Sequence, residues 1–196
     1  KRSHTTQEAI NLLKDYEAKS SERPQEISVR NLLDDNPLTS LAGRITAKRG
    51  MGKIVFMDLR DGAGKIQLLF GDRLNQSLIE LLKDIDIGDF IGASGRLFRT
   101  KTQEPTVAVQ EFILLSKSLQ PLPEKWHGLS DVDTRYRQRY IDLIANAEVK
   151  EIFRVRSRTI SAMRQYLDGR GVLEVDTPVF SPSAGGALAT PFVTHH

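Results

Sequence analysis

The stretch AGRITAKRGMGKIVFMDLRDGAGKIQLLF, residues 42–70, decides the fold: its apolar residues recur at every second position around two glycine turns. A period of two belongs to a strand with one face in a core and the other toward water. In Lys65–Phe70 it sends Ile66, Leu68 and Phe70 one way, and Lys65, Gln67 and Leu69 the other. In Lys53–Leu59 it puts Val55, Met57 and Leu59 in the core and Ile54, Phe56 and Asp58 outside. In Leu38–Lys48, Leu41, Ile45 and Ala47 turn inward, leaving Arg44, Thr46 and Lys48 outside. Gly50-Met51-Gly52 and Asp61-Gly62-Ala63-Gly64 supply the turns.

The pattern continues toward the C-terminus. Two more strands are expected at Asp89–Arg99 and Thr106–Leu115, with a helix between the third and fourth strands at Arg73–Asp84. Five strands with one helix after the third is the order of an OB-fold barrel. Ahead of it, Thr5–Lys19 reads as a helix capped by Thr5 or Thr6, with Ala9, Leu12, Leu13 and Tyr16 on one face. That helix either rests on a neighbouring domain or is an arm touching RNA through Lys14 and Lys19. Behind the barrel, Pro121-Leu122-Pro123 stiffens the exit. Helices follow at Asp133–Ile144 and Ala147–Asp168, the second ended by Gly169 or Gly171, then a short strand at Val172–Val175. The fold class is therefore α+β. The expected organisation is an N-terminal helix (1–25), a barrel domain (26–118), a linker (119–130) and a second domain (131–196).

Composition limits the function. There are 28 Lys and Arg against 25 Asp and Glu in 196 residues, a net charge of +3, so any nucleic-acid surface must come from local placement. There is no cysteine, hence no disulfide and no thiolate metal site. No apolar run reaches the roughly 18 residues of a membrane span. KRSHTTQEAINLL has no apolar core behind its basic residues and is not a secretory signal, so a cytoplasmic setting is expected. The first residue is not Met and the last two are His195-His196, so the chain is expected to be a piece of something longer. Gly62-Ala63-Gly64-Lys65 imitates a phosphate loop but lacks the full spacing and precedes a strand, so it is read as a hairpin turn. His4, His127, His195 and His196 show no tight metal-ligand spacing, and no metal site is expected.

Alternation puts Arg44, Phe56 and Gln67 on one outer surface of three neighbouring strands. A splayed base needs an aromatic plate to stack on and a polar group to read its edge. Its flanking phosphates need cations, which Lys48 and Arg49 can supply. The plain alternative is a half-solvated strand carrying a stray aromatic residue.

The segment Ala42–Phe70 resembles the anticodon-binding domain of the lysyl-, aspartyl- and asparaginyl-tRNA synthetases. LPEKWHGLSDVDTRYRQRYIDLI (122–144) and GVLEVDTPVFSPSAGGALATPFVTHH (171–196) resemble class II aminoacyl-tRNA synthetases, most closely the lysyl enzymes. The resemblance implies that Phe56 stacks on the middle anticodon base, a uridine, while Gln67 and Glu111 read its edge and Arg44 and Lys48 support it. Strict alternation puts Glu111 on the core side with Val107, Val109 and Ile113, and only a bulge or strong twist can turn it outward. The resemblance also makes the second domain the truncated start of a class II catalytic domain. Ile152, Val155, Ile160, Met163 and Pro178 then form the dimer-interface motif, although the family commonly has Phe or Tyr where Val172 stands. Gly185 and Gly186 would line the amino-acid pocket, and His195 and His196 would be structural.

The implied activity is lysine–tRNA ligation: ATP-dependent activation of L-lysine and its transfer to tRNA(Lys) by a homodimer. ATP and Mg2+ are cofactors of the whole enzyme. The ATP-gripping arginines and magnesium-binding carboxylates of the family lie in motifs absent from these residues. No catalytic residue and no bound cofactor are therefore expected here, and the chain is expected to be inactive. A stand-alone OB-fold RNA-binding module, or an aspartyl or asparaginyl synthetase, are the other readings.

Overall fold

The computed structural model describes residues 1–20, 35–52, 54–71, 74–120, 122, 129–178 and 190. Contacts divide the chain into two units, Lys1–Pro123 and Glu124–His196. In the first, α1 (Thr6–Ser20) precedes β1 (Leu38–Met51), β2 (Ile54–Arg60), β3 (Lys65–Phe70), α2 (Gln76–Lys83), β4 (Phe90–Arg99) and β5 (Pro105–Ser116). The strands close into a barrel in the order β1-β2-β3-β5-β4, with every pair antiparallel except β3–β5. This is the expected OB-fold; closure leaves no edge unpaired.

The core-facing positions of β2 and β3 read from the sequence are in the barrel interior. Met57, Leu59, Ile66, Leu68 and Phe70 are buried with Leu41, Ile45, Ile91, Leu97, Val107 and Phe112. Phe70 meets Phe112 edge to face at 5.2 Å. Gly95 marks the tightest approach, since a Cβ there would lie 2.0 Å from the carbonyl oxygen of Ala108.

Both helices of this unit join that core. Thr5 and Glu8 form a capping box: the Thr5 hydroxyl accepts from the Glu8 N–H, and the Glu8 carboxylate accepts from the Thr5 N–H. Ala9 and Leu13 of α1 then bury among the barrel residues, so the helix rests on the barrel. Helix α2 begins at Gln76, not Arg73. Asn75 is its N-cap, accepting the Leu78 N–H through its side chain at 2.9 Å, which holds the preceding residue out of the helix. Gly50 and Met51 also depart from expectation, pairing with Val55 and Ile54 so that β1 runs further into its hairpin.

The second unit contains α3 (Val132–Arg137), α4 (Arg139–Ala145) and α5 (Ala147–Asp168). The helix expected at Asp133–Ile144 is thus broken, at Gln138, whose φ of −117° and ψ of 58° are not helical. The two pieces are held by one buried carboxylate, Asp142, which accepts from Arg135, Arg139 and Asn146. Helix α5 has the expected bounds, and Gly171 (φ 77°) supplies the left-handed turn beyond it. The strand expected at Val172–Val175 is absent: these residues have no regular structure, since a strand needs a hydrogen-bonding neighbour and no described residue pairs with them.

The end of the barrel is locked by Asp89, which is fully buried. Its carboxylate accepts the Asp86 N–H (2.7 Å), the Lys117 ammonium (2.8 Å) and the Ser118 N–H (2.7 Å). Burial pushes the carboxyl pKa up, but the bonds from Asp86, Lys117 and Ser118 outweigh it and hold the pKa below the usual range. A depressed folded pKa contributes stability that is present above the unfolded value and lost as pH falls through the folded one. Asp89→Asn should therefore cost about 2–3 kcal/mol at neutral pH and flatten the loss of stability below about pH 4, as read from urea midpoints across pH.

Candidate nucleic-acid interface

The outer face of β2 and β3 carries two cross-strand rows. Arg49 of β1 pairs with Phe56, which pairs with Leu69, which aligns with Ala108 of β5. One step along, Ala47 pairs with Asp58, Asp58 with Gln67, and Gln67 aligns with Thr106. Directly opposed residues point to the same side of a sheet, so Arg49, Phe56, Asp58 and Gln67 share this face. The half-buried Gln67 lies beside the Thr106 hydroxyl, 3.0 Å from its carboxamide oxygen; the same hydroxyl is 3.0 Å from the Glu104 carbonyl.

A β-bulge changes the expected cations. The register shifts between Ile45 and Ala47, so Thr46 is an extra residue and alternation reverses beyond it. Ala47, expected inside, joins the outer row. Lys48, expected outside, pairs with the core residue Met57. Its ammonium donates to the carbonyls of Leu82 (3.2 Å) and Ile85 (2.6 Å), in and just beyond the last turn of α2. Lys48 therefore satisfies orphan carbonyls at a helix C-terminus. Thr46, also expected outside, is buried, with its hydroxyl directed at the Asp58 carbonyl.

Arg44 is engaged elsewhere. It precedes the bulge and pairs with Arg60, away from the Phe56 row. Its guanidinium lies 4.2 Å from the centre of the Phe90 ring and donates to the Gly88 carbonyl at 3.0 Å. Arg44 keeps the expected outer face, in the row Arg44–Arg60–Lys65, but its guanidinium is turned to Gly88 and Phe90, and the cation directly opposite Phe56 is Arg49.

A second bulge turns Glu111 outward. Ser94 pairs with Glu111 but Gly95 with Val109, which makes Gln110 the extra residue. Val107 and Val109 stay in the core, Phe112 replaces Ile113 there, and Glu111 and Ile113 are exposed. Glu111 stands three residues along β5 from Ala108, beyond the row that holds Phe56.

Sequence reasoning missed two groups on this surface. Asp58 accepts Arg49 on one oxygen and Lys65 on the other, each at 3.2 Å. A carboxylate inside a strand of apolar residues, where aspartate is disfavoured, was the available signal. Asp61 was read only as part of a turn. Its carboxylate accepts the N–H groups of Ala63 and Gly64, and both the N–H and the hydroxyl of Thr6, tying the β2–β3 hairpin to the start of α1. Burial pushes the Asp61 pKa up, and the bonds from Thr6, Ala63 and Gly64 outweigh it, leaving it lowered. Gly62–Lys65 is accordingly a hairpin turn leading into β3.

In the second unit, Ile152, Val155 and Met163 on α5 are 64%, 57% and 60% exposed, so no described residue covers the stripe. Ile160 is half-buried, and Pro178 is exposed in the irregular segment after the helix. Gly185, Gly186, His195 and His196 lie outside the described residues. Among the described residues no three His, Asp or Glu side chains are grouped to hold a metal ion, and no helix is long and apolar enough to cross a membrane.

The geometry yields one structural test. Lys48→Met removes two bonds to helix carbonyls and should cost about 1–2 kcal/mol, read as a lower urea midpoint.

Residues 39–115 match the tRNA anticodon family described as an OB-fold nucleic acid binding domain, and residues 131–196 match the class II tRNA synthetases (D, K and N). The chain is 53% identical over 195 residues to a lysine–tRNA ligase of Dehalococcoides mccartyi, an overlap of 99% of this chain and 37% of that protein. It is 54% identical over 157 residues to the lysine–tRNA ligase of Clostridium perfringens, 80% of this chain and 31% of that protein. For the same enzyme of Moorella thermoacetica the figures are 54% over 158 residues, 80% and 32%. The chain thus spans about a third of the length of the curated relatives it matches. It belongs to the lysyl-tRNA synthetase family and corresponds to that family's N-terminal part, an OB-fold anticodon-binding domain followed by the start of a class II catalytic domain.

Proposed function

We propose that this chain supplies anticodon recognition to a lysine–tRNA ligase, a cytoplasmic enzyme that activates L-lysine with ATP and transfers it to tRNA(Lys). The observation that carries the reading is the shared outer face of Arg49, Phe56 and Gln67 on β1, β2 and β3. An unpaired uridine offers a π-face, an O4 acceptor and an N3–H donor. Phe56 provides the stacking plate. The Gln67 carboxamide, on the same face, can donate through its NH2 to O4. The exposed Glu111 carboxylate can accept N3–H, and Arg49 meets a flanking phosphate. Lys48 and Arg44 are left out of this set, because α2 carbonyls occupy the one, and Gly88 with Phe90 the other.

In the same reading, residues 1–118 form the RNA-binding part, 119–130 the linker and 131–196 the beginning of the catalytic domain. The stripe of Ile152, Val155, Ile160 and Met163, with Pro178, forms the two-fold contact of a homodimer: an uncovered apolar helix face of this kind suits a self-complementary interface. Gly185 and Gly186 belong to the amino-acid pocket. ATP and Mg2+ serve the whole enzyme, where adenylate formation relies on positioning and charge neutralisation.

Binding to a lysine-tRNA anticodon hairpin tests the surface. Phe56→Ala should lose about 1–3 kcal/mol of affinity. Gln67→Ala should mainly relax discrimination at the middle base, and Lys48→Met should leave affinity within about twofold, because its ammonium faces α2. Wild-type binding by both Phe56→Ala and Gln67→Ala would remove this face from the interface. Pyrophosphate exchange should show no lysine-dependent activity from these residues alone; exchange above background contradicts the expected inactivity.

A further inference from the structure

The centre of the outer face of β2 and β3 is occupied by a negative charge, on a surface assigned to a polyanion. We propose that Asp58 is a specificity-determining residue of this surface: by holding the Arg49 and Lys65 cations, it makes recognition depend on the base rather than on phosphate charge. The inference rests on the nucleotide-binding reading above and deepens it.

Asp58 pairs with Ala47 on one side and Gln67 on the other, while Arg49 pairs with Phe56 and Lys65 with Arg60. Both cations therefore reach diagonally to the same carboxylate, one to each oxygen at 3.2 Å. The Asp58 side chain is only 10% exposed, against 60% for Arg49 and 41% for Lys65. A carboxylate this desolvated persists only when paired, and here the pairing is two-sided. The Thr46 hydroxyl reaches the carbonyl of the same residue, so the bulge and the charge cluster meet at one point.

The consequence follows from charge. Contacts to phosphates raise affinity for every sequence alike and discriminate between none. A nucleotide stacked on Phe56 brings its phosphates toward Arg49 and Lys65. Glu104 also lies 3.9 Å from Lys65, so with Asp58 in place the cluster of Arg49, Lys65, Asp58 and Glu104 carries no net charge, against +1 without Asp58, and binding without the correct base is weak. A complex without the correct base can shift to meet every free cation, whereas a nucleotide stacked on Phe56 is held in one geometry, so pairing the cations with Asp58 weakens the wrong complex more than the right one. The pairing also aims the guanidinium across the row beside the ring and the amide, which an unpaired arginine would not maintain.

The test is titration of this chain with two RNA hairpins, identical except for uridine or adenosine at the middle loop position, over a range of salt. In Asp58→Asn both hairpins should bind more tightly at low salt. The ratio of their affinities should fall by about threefold or more, and log K against log salt should steepen by about 0.7, as for one added phosphate contact. An unchanged ratio and slope, with native circular dichroism and cooperative melting, overturns the proposal. If the unmodified chain does not distinguish the hairpins, the nucleotide-binding reading falls and takes the proposal with it. If it does and Asp58→Asn distinguishes them equally, only the proposal falls. Should Asp58→Asn not fold, Lys65→Gln decides. It leaves Asp58 wholly to Arg49, so the ratio should hold or rise with no steeper slope, and a lower ratio or steeper slope overturns the proposal.

Discussion

Strand side chains must alternate, and the one extra residue at Thr46 reverses that alternation halfway along β1. Much of the surface chemistry depends on this reversal. Before the bulge, β1 puts Leu41 and Ile45 in the core. Beyond it, Lys48 turns toward α2 and Arg49 turns out beside Phe56. The bulge is held by the rest of the barrel: Ile45 exchanges backbone bonds with Gly88 and Asp89, while Thr46 reaches Asp58. One irregularity thus assigns two adjacent cations to different tasks, one structural and one facing solvent.

Polar anchors then hold the barrel and its helices in register. Asp61 joins the β2–β3 turn to the N-terminus of α1, and Arg99 of β4 pairs with Glu17 near its other end. Lys48 ties β1 to the end of α2, and Asp89 with Lys117 ties β4 to the chain leaving β5. These groups are partly or fully buried, so their value lies in specifying one arrangement, and breaking any one leaves a desolvated partner. Phe56 and Gln67 sit on strands braced at both ends, as a stacking site needs if it is not to lose affinity to local ordering.

Most of the fold was legible from periodicity. The core residues of β2 and β3, the single inserted helix, the OB-fold order and the bounds of α5 all follow from spacing of apolar residues along the chain. Where reading failed, hydrogen bonding outside the apolar pattern had decided the outcome. Asn75 displaced the start of α2 by a side-chain cap, Asp142 drew together two helices where one was expected, and Val172–Val175 lacked a neighbour to bond with. In the candidate site, Phe56 and Gln67 were legible because β2 and β3 are regular. Arg44 and Lys48 were not, because each acquires its partner from a segment some forty residues away in the chain.

By itself, then, the sequence determined which residues belong to strands and helices, the OB-fold order and the family. Each of these is written in local spacing and motif, and local spacing survives without knowledge of what packs against it. Only the tertiary structure decided that Arg49 faces outward while Lys48 does not, that Glu111 escapes the core, and that Asp58 sits between two cations. All three depend on where a strand holds an extra residue. That is settled by the pairing of distant strands in a closed barrel, a constraint the alternation of any single strand does not carry.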